Sequence, residues 1–202
     1  IRWRFQQWDE ALKRDAAGRV ASLADEISWI ESRKKQMLDF WSLIEDGTIP
    51  TRVTHNDTKI SNILFDRNGD VLCVIDLDTC MSSTSLNDFG DAIRSYTNTG
   101  AEDDRDLSKV GISLEMFKAY TQGYLSERKA TLCNSELDYL AFSARYITFE
   151  QVLRFLMDYI DGDVYYKIKS PDHNLVRTHA QYKLLQSMEE NYDEMVRIVK
   201  SC

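Results

Sequence analysis

The sequence predicts a mainly α-helical protein that contains one small β-hairpin. Only two prolines and eight glycines interrupt the 202 residues, and this scarcity favours long helices with few turns. Between residues 9 and 45, apolar residues recur mostly at steps of three and four, which is the spacing of one buried helical face. The third observation is a pair of short apolar runs separated by Asn68-Gly69, a strong signal for a hairpin turn.

The order of these patterns divides the chain into three parts of a single domain. Residues 1–50 are predicted to be helical, and Gly47 followed by Pro50 indicates the end of that segment. Residues 51–80 contain a polar loop and then the hairpin, which we place at 63–75. Residues 81–202 return to helices, and the candidate helices are 87–97, 113–129, 135–160 and 173–200.

The composition argues against several classes of function. Lys and Arg number 25 against 33 Asp and Glu, so the net charge is −8. Such a surface repels the phosphates of nucleic acids and of anionic lipids, and no apolar run approaches the roughly 20 residues that a membrane span needs. We expect neither a nucleic-acid nor a membrane partner. The four cysteines show no Cys-x-x-Cys pair, which favours reduced thiols in a cytoplasmic protein.

The most informative stretch runs from Val53 to Asn62 and is completed after the hairpin by Asp76 and Asp78. Phosphoryl transfer needs Mg²⁺ ions that bridge phosphate oxygens, an acceptor for the proton of the attacking hydroxyl, and positioning. Asn62 and Asp76 offer an amide oxygen and a carboxylate, which suit Mg²⁺, and Asp57 offers the proton acceptor. Because a hairpin brings its two ends together, we expect Asn62 and Asp76 to share one metal site.

The pattern His-x-Asp-x-x-x-x-Asn at 55–62, followed by a hairpin and then an Asp, resembles the catalytic loop of the protein-kinase-like superfamily. The metal segment Ile-Asp-Leu-Asp at 75–78 has no Gly after its first Asp. In this it is similar to the aminoglycoside phosphotransferase and choline-kinase branch, which phosphorylates small molecules. The resemblance implies the C-terminal (catalytic) lobe of a protein-kinase-like enzyme that uses ATP and Mg²⁺.

The same resemblance implies a role for each polar residue of the stretch. Asp57 would be the catalytic base, and Lys59 would contact a phosphate. Asn62 and Asp76 would be the Mg²⁺ ligands, and Asp78 would be a bridging or supporting carboxylate. Without the resemblance, Asp57 could be a helix cap and Asp76 a turn residue, although unpaired charges beside buried strands are costly.

Two further residues are expected to brace the loop. His55 would do so from within the motif. The tripeptide Asp-Phe-Gly at 88–90 has the sequence of the metal-binding tripeptide of protein kinases, but it follows the serine-rich segment 82–85 and no strand is predicted there. In the small-molecule branch a similar segment opens a helix and braces the catalytic loop, so we expect structural roles for Asp88 and Asp91.

The segment 154–166 resembles the N-acetylhexosamine 1-kinases, and the similarity extends over most of residues 50–185. Those enzymes form a sugar 1-phosphate from N-acetylglucosamine or N-acetylgalactosamine and ATP. By this resemblance, Arg154 and Tyr165 would contact the sugar or its N-acetyl group. The residues themselves leave alternatives, because Arg154 could form a salt bridge four residues along with Asp158 and Tyr165 could be a core aromatic.

A working kinase of this superfamily also needs an N-terminal lobe with a loop over the phosphates and a strand lysine paired with a helix glutamate. No glycine cluster occurs before residue 46, and the chain does not begin with Met. We therefore expect this lobe of the same protein to be absent and the chain alone to be nearly inactive. Two alternatives stay open: a kinase for choline, an aminoglycoside, homoserine or another sugar, and a non-catalytic binding protein with the same fold.

Overall fold

The computed structural model describes residues 1–202 and contains seven α-helices and four short strands. The helices are α1 (Arg2–Arg14), α2 (Ala24–Glu45), α3 (Ser85–Tyr96), α4 (Leu114–Arg128), α5 (Asn134–Ile160), α6 (His173–Glu190) and α7 (Tyr192–Ser201). The strands are β1 (Arg52–Thr54), β2 (Ile63–Phe65), β3 (Val71–Val74) and β4 (Met81–Ser83). The prediction of a mainly helical chain with a small hairpin is confirmed.

Helix α5 lies at the centre of the core. It has 27 residues, most of them buried, and packs most extensively against α3 and α6. Its sequence is apolar on nearly all sides, which is typical of a helix enclosed by other helices. Its first turn is fixed by Glu136, which accepts a hydrogen bond of 2.9 Å from the backbone N–H of Cys133 and pairs with Arg52 at 2.6 Å.

Strands β2 and β3 form the predicted antiparallel hairpin, with Ile63 opposite Val74. Its turn is held by Asp66, which accepts hydrogen bonds from the backbone N–H groups of Asn68 at 2.8 Å and Asp70 at 2.9 Å. These are bonds that an Asp at the start of a turn commonly accepts. The hairpin therefore forms from local signals alone.

A second strand pair was not predicted. Strand β1 pairs antiparallel with β4, so that Arg52 lies opposite Ser83. The expectation that no strand precedes Asp88 is wrong, because β4 ends just before α3 begins. Its serine-rich sequence has little strand propensity of its own, and pairing with the distant β1 supplies the stability.

Two of the predicted helical stretches are interrupted. Asp15 ends α1 in a left-handed conformation with φ of 42°, and its carboxylate accepts hydrogen bonds from the backbone N–H groups of Arg19 and Val20 at 2.8 and 3.1 Å. The chain then turns before α2. Near the C-terminus, Asn191 separates α6 from α7.

The four cysteines are all free, and Cys73, Cys80 and Cys133 are exposed. None of the seven helices combines the length and the apolar character that a bilayer crossing requires.

Helices α3 and α5 approach each other very closely at Gly90. A Cβ atom at this position would lie 2.8 Å from Cγ1 of Ile147 and would also clash with the backbone oxygen of Ser143. A hydrogen atom is therefore the only side chain that fits at the crossing, and this contact fixes α3 on the core.

We expect the change Gly90→Ala to lower the free energy of unfolding by about 1–3 kcal/mol, because backbone and packed side chain must both shift. Urea denaturation would measure this as a lower midpoint. The matched control is Gly123→Ala in α4, where nothing lies within 4 Å of the added Cβ. That change should leave the free energy of unfolding unchanged or raise it by up to about 1 kcal/mol. Equal urea midpoints for Gly90→Ala and Gly123→Ala would contradict the close contact of α3 and α5 at Gly90.

Candidate active site

The polar loop that follows β1 is held by helix α3. The carboxylate of Asp88, in the first turn of α3, accepts hydrogen bonds from the backbone N–H groups of His55 at 2.9 Å and Asn56 at 2.7 Å. Asn56 has a φ of 61°, an unfavourable conformation that these bonds help to maintain. The hydroxyl of Thr58 donates to the backbone oxygen of Asp88 at 2.6 Å, so one residue of α3 fixes three positions of the loop.

His55 connects the loop to the end of the hairpin. Its Nε2 lies 3.0 Å from the backbone oxygen of Ile75, and its Nδ1 lies 3.3 Å from the backbone N–H of Asp57, which donates to it. Because Nδ1 accepts this hydrogen bond, the ring proton is assigned to Nε2, which donates to the oxygen of Ile75. The backbone N–H of Ile75 also donates to the backbone oxygen of Asn62 at 2.9 Å. The two ends of the hairpin therefore meet beside the loop.

Asp57 lies at the centre of a small polar cluster. Its carboxylate accepts hydrogen bonds from Nζ of Lys59 at 2.6 Å and from Nδ2 of Asn62 at 2.8 Å. Nζ of Lys59 also lies 3.9 Å from a carboxylate oxygen of Asp76, so one ammonium group lies between two carboxylates. The structure thus brings four of the predicted residues together, whereas Asp78 forms no hydrogen bond or ion pair with them.

The charges of this cluster are mutually stabilised. Burial raises the pKa of Asp57, but the hydrogen bonds from Lys59 and Asn62 and the charge of Lys59 outweigh burial, and the net effect is a lowered pKa. The hydrogen bond with Asp57 raises the pKa of Lys59. Both groups are therefore charged at neutral pH.

Asn62 and Asp76 fit a Mg²⁺ ion that is held jointly with phosphate groups. The amide nitrogen of Asn62 donates to Asp57, and its amide oxygen accepts no hydrogen bond. The chain forms no group of three or more His, Cys, Asp or Glu that could hold a metal by themselves. Mg²⁺ commonly takes only one or two protein oxygens and obtains the rest from phosphates and water, which is the arrangement that these two residues permit.

A cavity of about 490 Å³ opens beside Asp57, with walls from α1, the loop, α3 and α5. Arg154 lines the same cavity from α5. Three carboxylates and three guanidinium groups line it, and their formal charges balance; these residues are Asp57, Asp91, Glu150, Arg4, Arg94 and Arg154. The sequence analysis did not predict that α1 contributes to this wall.

Of the two predicted substrate-binding residues, only Arg154 lines the cavity beside Asp57. Tyr165 is 73% exposed, so it is not a core aromatic, and it lines a neighbouring cavity of about 170 Å³ that also includes Arg154. Arg154 forms no salt bridge with Asp158. That carboxylate instead accepts hydrogen bonds from the backbone N–H groups of residues 164–166 at 2.8–3.0 Å, and it holds the segment that carries Tyr165.

Several cavity residues were missed by the sequence analysis. Asn87 and Asp91 line it from α3, and Glu150 and Gln151 line it from α5. The signal was the spacing, because Asn87 and Asp91 are four residues apart, as are Glu150 and Arg154, on helices whose other faces are buried in the core. Polar residues repeated at that interval form a second, non-core face.

A comparison with known protein families gives one match. The model of the family described as APH, phosphotransferase enzyme family, matches residues 1–125. The matched part contains the loop, the hairpin, Asp76 and Asp88, and it ends before α5 begins.

We expect Lys59→Met to raise the pKa of Asp57, because burial of the carboxylate remains while its main hydrogen bond and opposite charge are lost. Titration of the ¹³C-labelled Asp57 carboxyl by NMR would measure the shift. In the folded wild type the pKa of Asp57 is lowered below its ordinary value of 3.8. The pair of Asp57 and Lys59 therefore stabilises the fold above about pH 3.8, and this contribution is lost as the pH falls through the lowered pKa.

The matched control for this titration is Lys35→Met, which removes an exposed pair with Asp39 on α2. That change should leave the midpoint of Asp57 where it is in the wild type. An unshifted Asp57 midpoint in Lys59→Met would contradict the arrangement of the cluster.

Proposed function

Because this chain belongs to the APH phosphotransferase enzyme family, we propose that it transfers the γ-phosphoryl group of ATP to a hydroxyl group of a small molecule. The observation that carries the proposal is the position of Asp57, whose carboxylate joins the Lys59–Asn62 cluster and lines the cavity. A hydroxyl bound in that cavity comes within reach of a charged proton acceptor, as general-base catalysis requires.

Each residue of the cluster then has a distinct task. Asp57 orients the acceptor hydroxyl and takes its proton. Lys59, which bridges Asp57 and Asp76, turns its ammonium group toward the transferred phosphoryl group and offsets its charge. Asn62 and Asp76 would hold Mg²⁺, which when bound neutralises the charge on the phosphate oxygens.

We further propose that the acceptor is the anomeric hydroxyl of N-acetylglucosamine or N-acetylgalactosamine. The balanced charges of the cavity favour a neutral acceptor over a polycation such as an aminoglycoside, and its volume of about 490 Å³ is in the range of small-ligand pockets. Arg154 has no carboxylate partner and can donate hydrogen bonds to a carbonyl or hydroxyl. The resemblance of segment 154–166 to the N-acetylhexosamine 1-kinases supports the same acceptor.

Choline is the second candidate acceptor. Trp3, Trp41 and Tyr146 all line the cavity, and aromatic faces bind quaternary ammonium groups. The guanidinium of Arg4 already lies over the ring of Trp3, 4.8 Å from its centroid. This ring is therefore less available to a quaternary ammonium group. Substrate screening separates the two candidates.

The surface around the hairpin supports the proposal of a further lobe that covers the nucleotide. Several large apolar side chains of this region are exposed, namely Val53, Val71, Leu72, Leu77 and Met81. Exposed apolar side chains grouped in one region commonly mark a surface that contacts a partner or ligand. We propose that an N-terminal lobe of the same protein packs on this surface and closes the nucleotide site.

The acceptor can be identified by measuring ADP release from Mg-ATP in the protein that includes such a lobe. The panel contains N-acetylglucosamine, N-acetylgalactosamine, choline, homoserine and an aminoglycoside. We expect release with the two N-acetylhexosamines, and a loss of at least about 100-fold in kcat for Asp57→Asn, because the proton acceptor is removed. Release with choline alone would favour the second candidate, and release from Asp57→Asn at the wild-type rate would contradict the role of Asp57.

The chain of 202 residues should by itself release ADP at a rate close to background, because the apolar surface that closes the nucleotide site is uncovered. Isothermal titration with Mg-ATP should accordingly show weak binding. Robust turnover by the isolated chain would contradict the proposed need for a further lobe, while leaving the role of Asp57 untouched.

A further inference from the structure

Unpartnered polar atoms are concentrated at one cavity of this protein. In the whole chain, four buried side-chain polar atoms have no hydrogen-bond partner, and they belong to Asn87, Asp91, Arg145 and Tyr146. Three of these four residues line the cavity that contains Asp57; only Arg145 does not. Buried polar atoms are nearly always paired, so each exception calls for a physical explanation.

The three residues form one wall because of the way α3 and α5 cross. Asn87 and Asp91 are four residues apart and share a face of α3. They flank Gly90, whose close contact with Ser143 and Ile147 brings α3 against the turn of α5 that carries Tyr146. Tyr146 is 1% exposed and Asp91 is 7% exposed, so solvent does not compete for their polar atoms.

On α3, both unpartnered atoms are suited to accept hydrogen bonds. The amide nitrogen of Asn87 donates to the hydroxyl of Ser83 at 2.9 Å, and its oxygen is unpartnered. Reversing the amide would leave its nitrogen unpartnered instead, so either orientation lacks one partner. One carboxylate oxygen of Asp91 accepts both hydrogen bonds from Arg94, at 3.1 and 2.9 Å, and the other accepts none.

On α5, the unpartnered atom is the hydroxyl of Tyr146. Its ring is stacked on that of Trp41, with ring centroids 6.4 Å apart, and its oxygen has no partner. A phenolic hydroxyl both donates and accepts. The three residues therefore offer two acceptors and one group that both donates and accepts, which suits an occupant with several O–H or N–H donors and an acceptor.

We propose that Asn87, Asp91 and Tyr146 bind the non-reacting hydroxyl groups of the acceptor and determine its specificity. This inference rests on the proposed phosphotransferase function and names the residues that select a polyhydroxyl acceptor. Small side-chain rotations, which are common on ligand binding, would bring the three atoms to the occupant. Choline has a single hydroxyl group and no N–H, so it leaves the wall unpaired, and a site built to bind hydroxyls strongly rejects a ligand that lacks them.

The decisive variant is Tyr146→Phe, which deletes only the hydroxyl. We expect it to raise the KM for N-acetylglucosamine about tenfold, which corresponds to about 1.4 kcal/mol, while the KM for ATP stays unchanged. In the absence of acceptor, its urea midpoint should equal or exceed that of the wild type, because an unpaired buried group is removed. A merely structural hydroxyl would lower the midpoint and leave the acceptor KM as it is.

A second variant and a matched control accompany this change. Asn87→Leu replaces the amide by an apolar group of similar size and should also raise the acceptor KM selectively. Tyr192→Phe removes a hydroxyl from α7, outside the cavity, and should change neither KM. We avoid substituting Asp91, because its pair with Arg94 is buried and breaking the pair would destabilise the fold.

Deoxy analogues of N-acetylglucosamine show whether the effect is direct. The analogue that lacks the hydroxyl bound by Tyr146 should have a similar KM with the wild type and with Tyr146→Phe, since the two losses are not additive when they remove one contact. If Tyr146→Phe raises the KM by the same factor for every deoxy analogue as for N-acetylglucosamine itself, the inference is overturned. Unchanged acceptor KM in both variants would also overturn it, while release of ADP still supported the proposed function; no release with any acceptor would overturn both.

Discussion

The two hydrogen bonds that Asp88 accepts from the backbone of His55 and Asn56 tie the loop to the helical core. Strand β1 has only three residues, so the loop has little regular structure of its own. Helix α3 supplies the missing rigidity, and α3 is itself fixed on α5 at Gly90. The position of Asp57 is therefore set by a chain of contacts that begins in the apolar core, which is how a flexible polar segment can keep a defined geometry.

The site keeps arrangements that the core of a protein normally avoids. Asn56 and Asp76 adopt positive φ angles of 61° and 63° on either side of the cluster, and non-glycine residues in this region are strained. Asp57 and Asp76 share a single ammonium group, so the three residues carry a net formal charge of −1. That excess of negative charge favours a bound cation, and strained residues and unpaired groups of this kind are expected at functional sites.

Local signals explain what the sequence could predict. Asn68-Gly69 predicted the hairpin because the turn depends on neighbouring residues only, and the motif at 55–62 predicted the meeting of Asp57, Asn62 and Asp76 because a hairpin closes on itself. Pairing of β1 with β4 escaped prediction because it joins residues that are distant in the chain. The break after α1 also escaped, since it depends on side-chain hydrogen bonds of Asp15 to residues beyond the helix.

The cavity wall that α3 and α5 form was harder to predict for a different reason. Three backbone hydrogen bonds to Asp158 hold the segment that carries Tyr165. No sequence spacing reveals that Tyr165 then lies outside the cavity of Asp57, on a smaller cavity that it shares with Arg154. Likewise, Asn87 and Tyr146 look like ordinary helix residues until their burial and lack of partners are known. Predicting them requires the packing of α3 on α5, which no local pattern determines.

The family match covers all the groups proposed for phosphoryl transfer but only part of the wall proposed to bind the acceptor. Residues 1–125 are matched, and they include Asp57, Asn62 and Asp76, the groups proposed for phosphoryl transfer. Tyr146, Glu150 and Arg154 line the cavity from α5, beyond the match, whereas Asn87 and Asp91 line it from within the match. Shared chemistry therefore says little about the acceptor. The proposed selection of the acceptor takes place where α5 meets α3, through the charges and unpaired hydrogen-bonding groups that the crossing at Gly90 brings together.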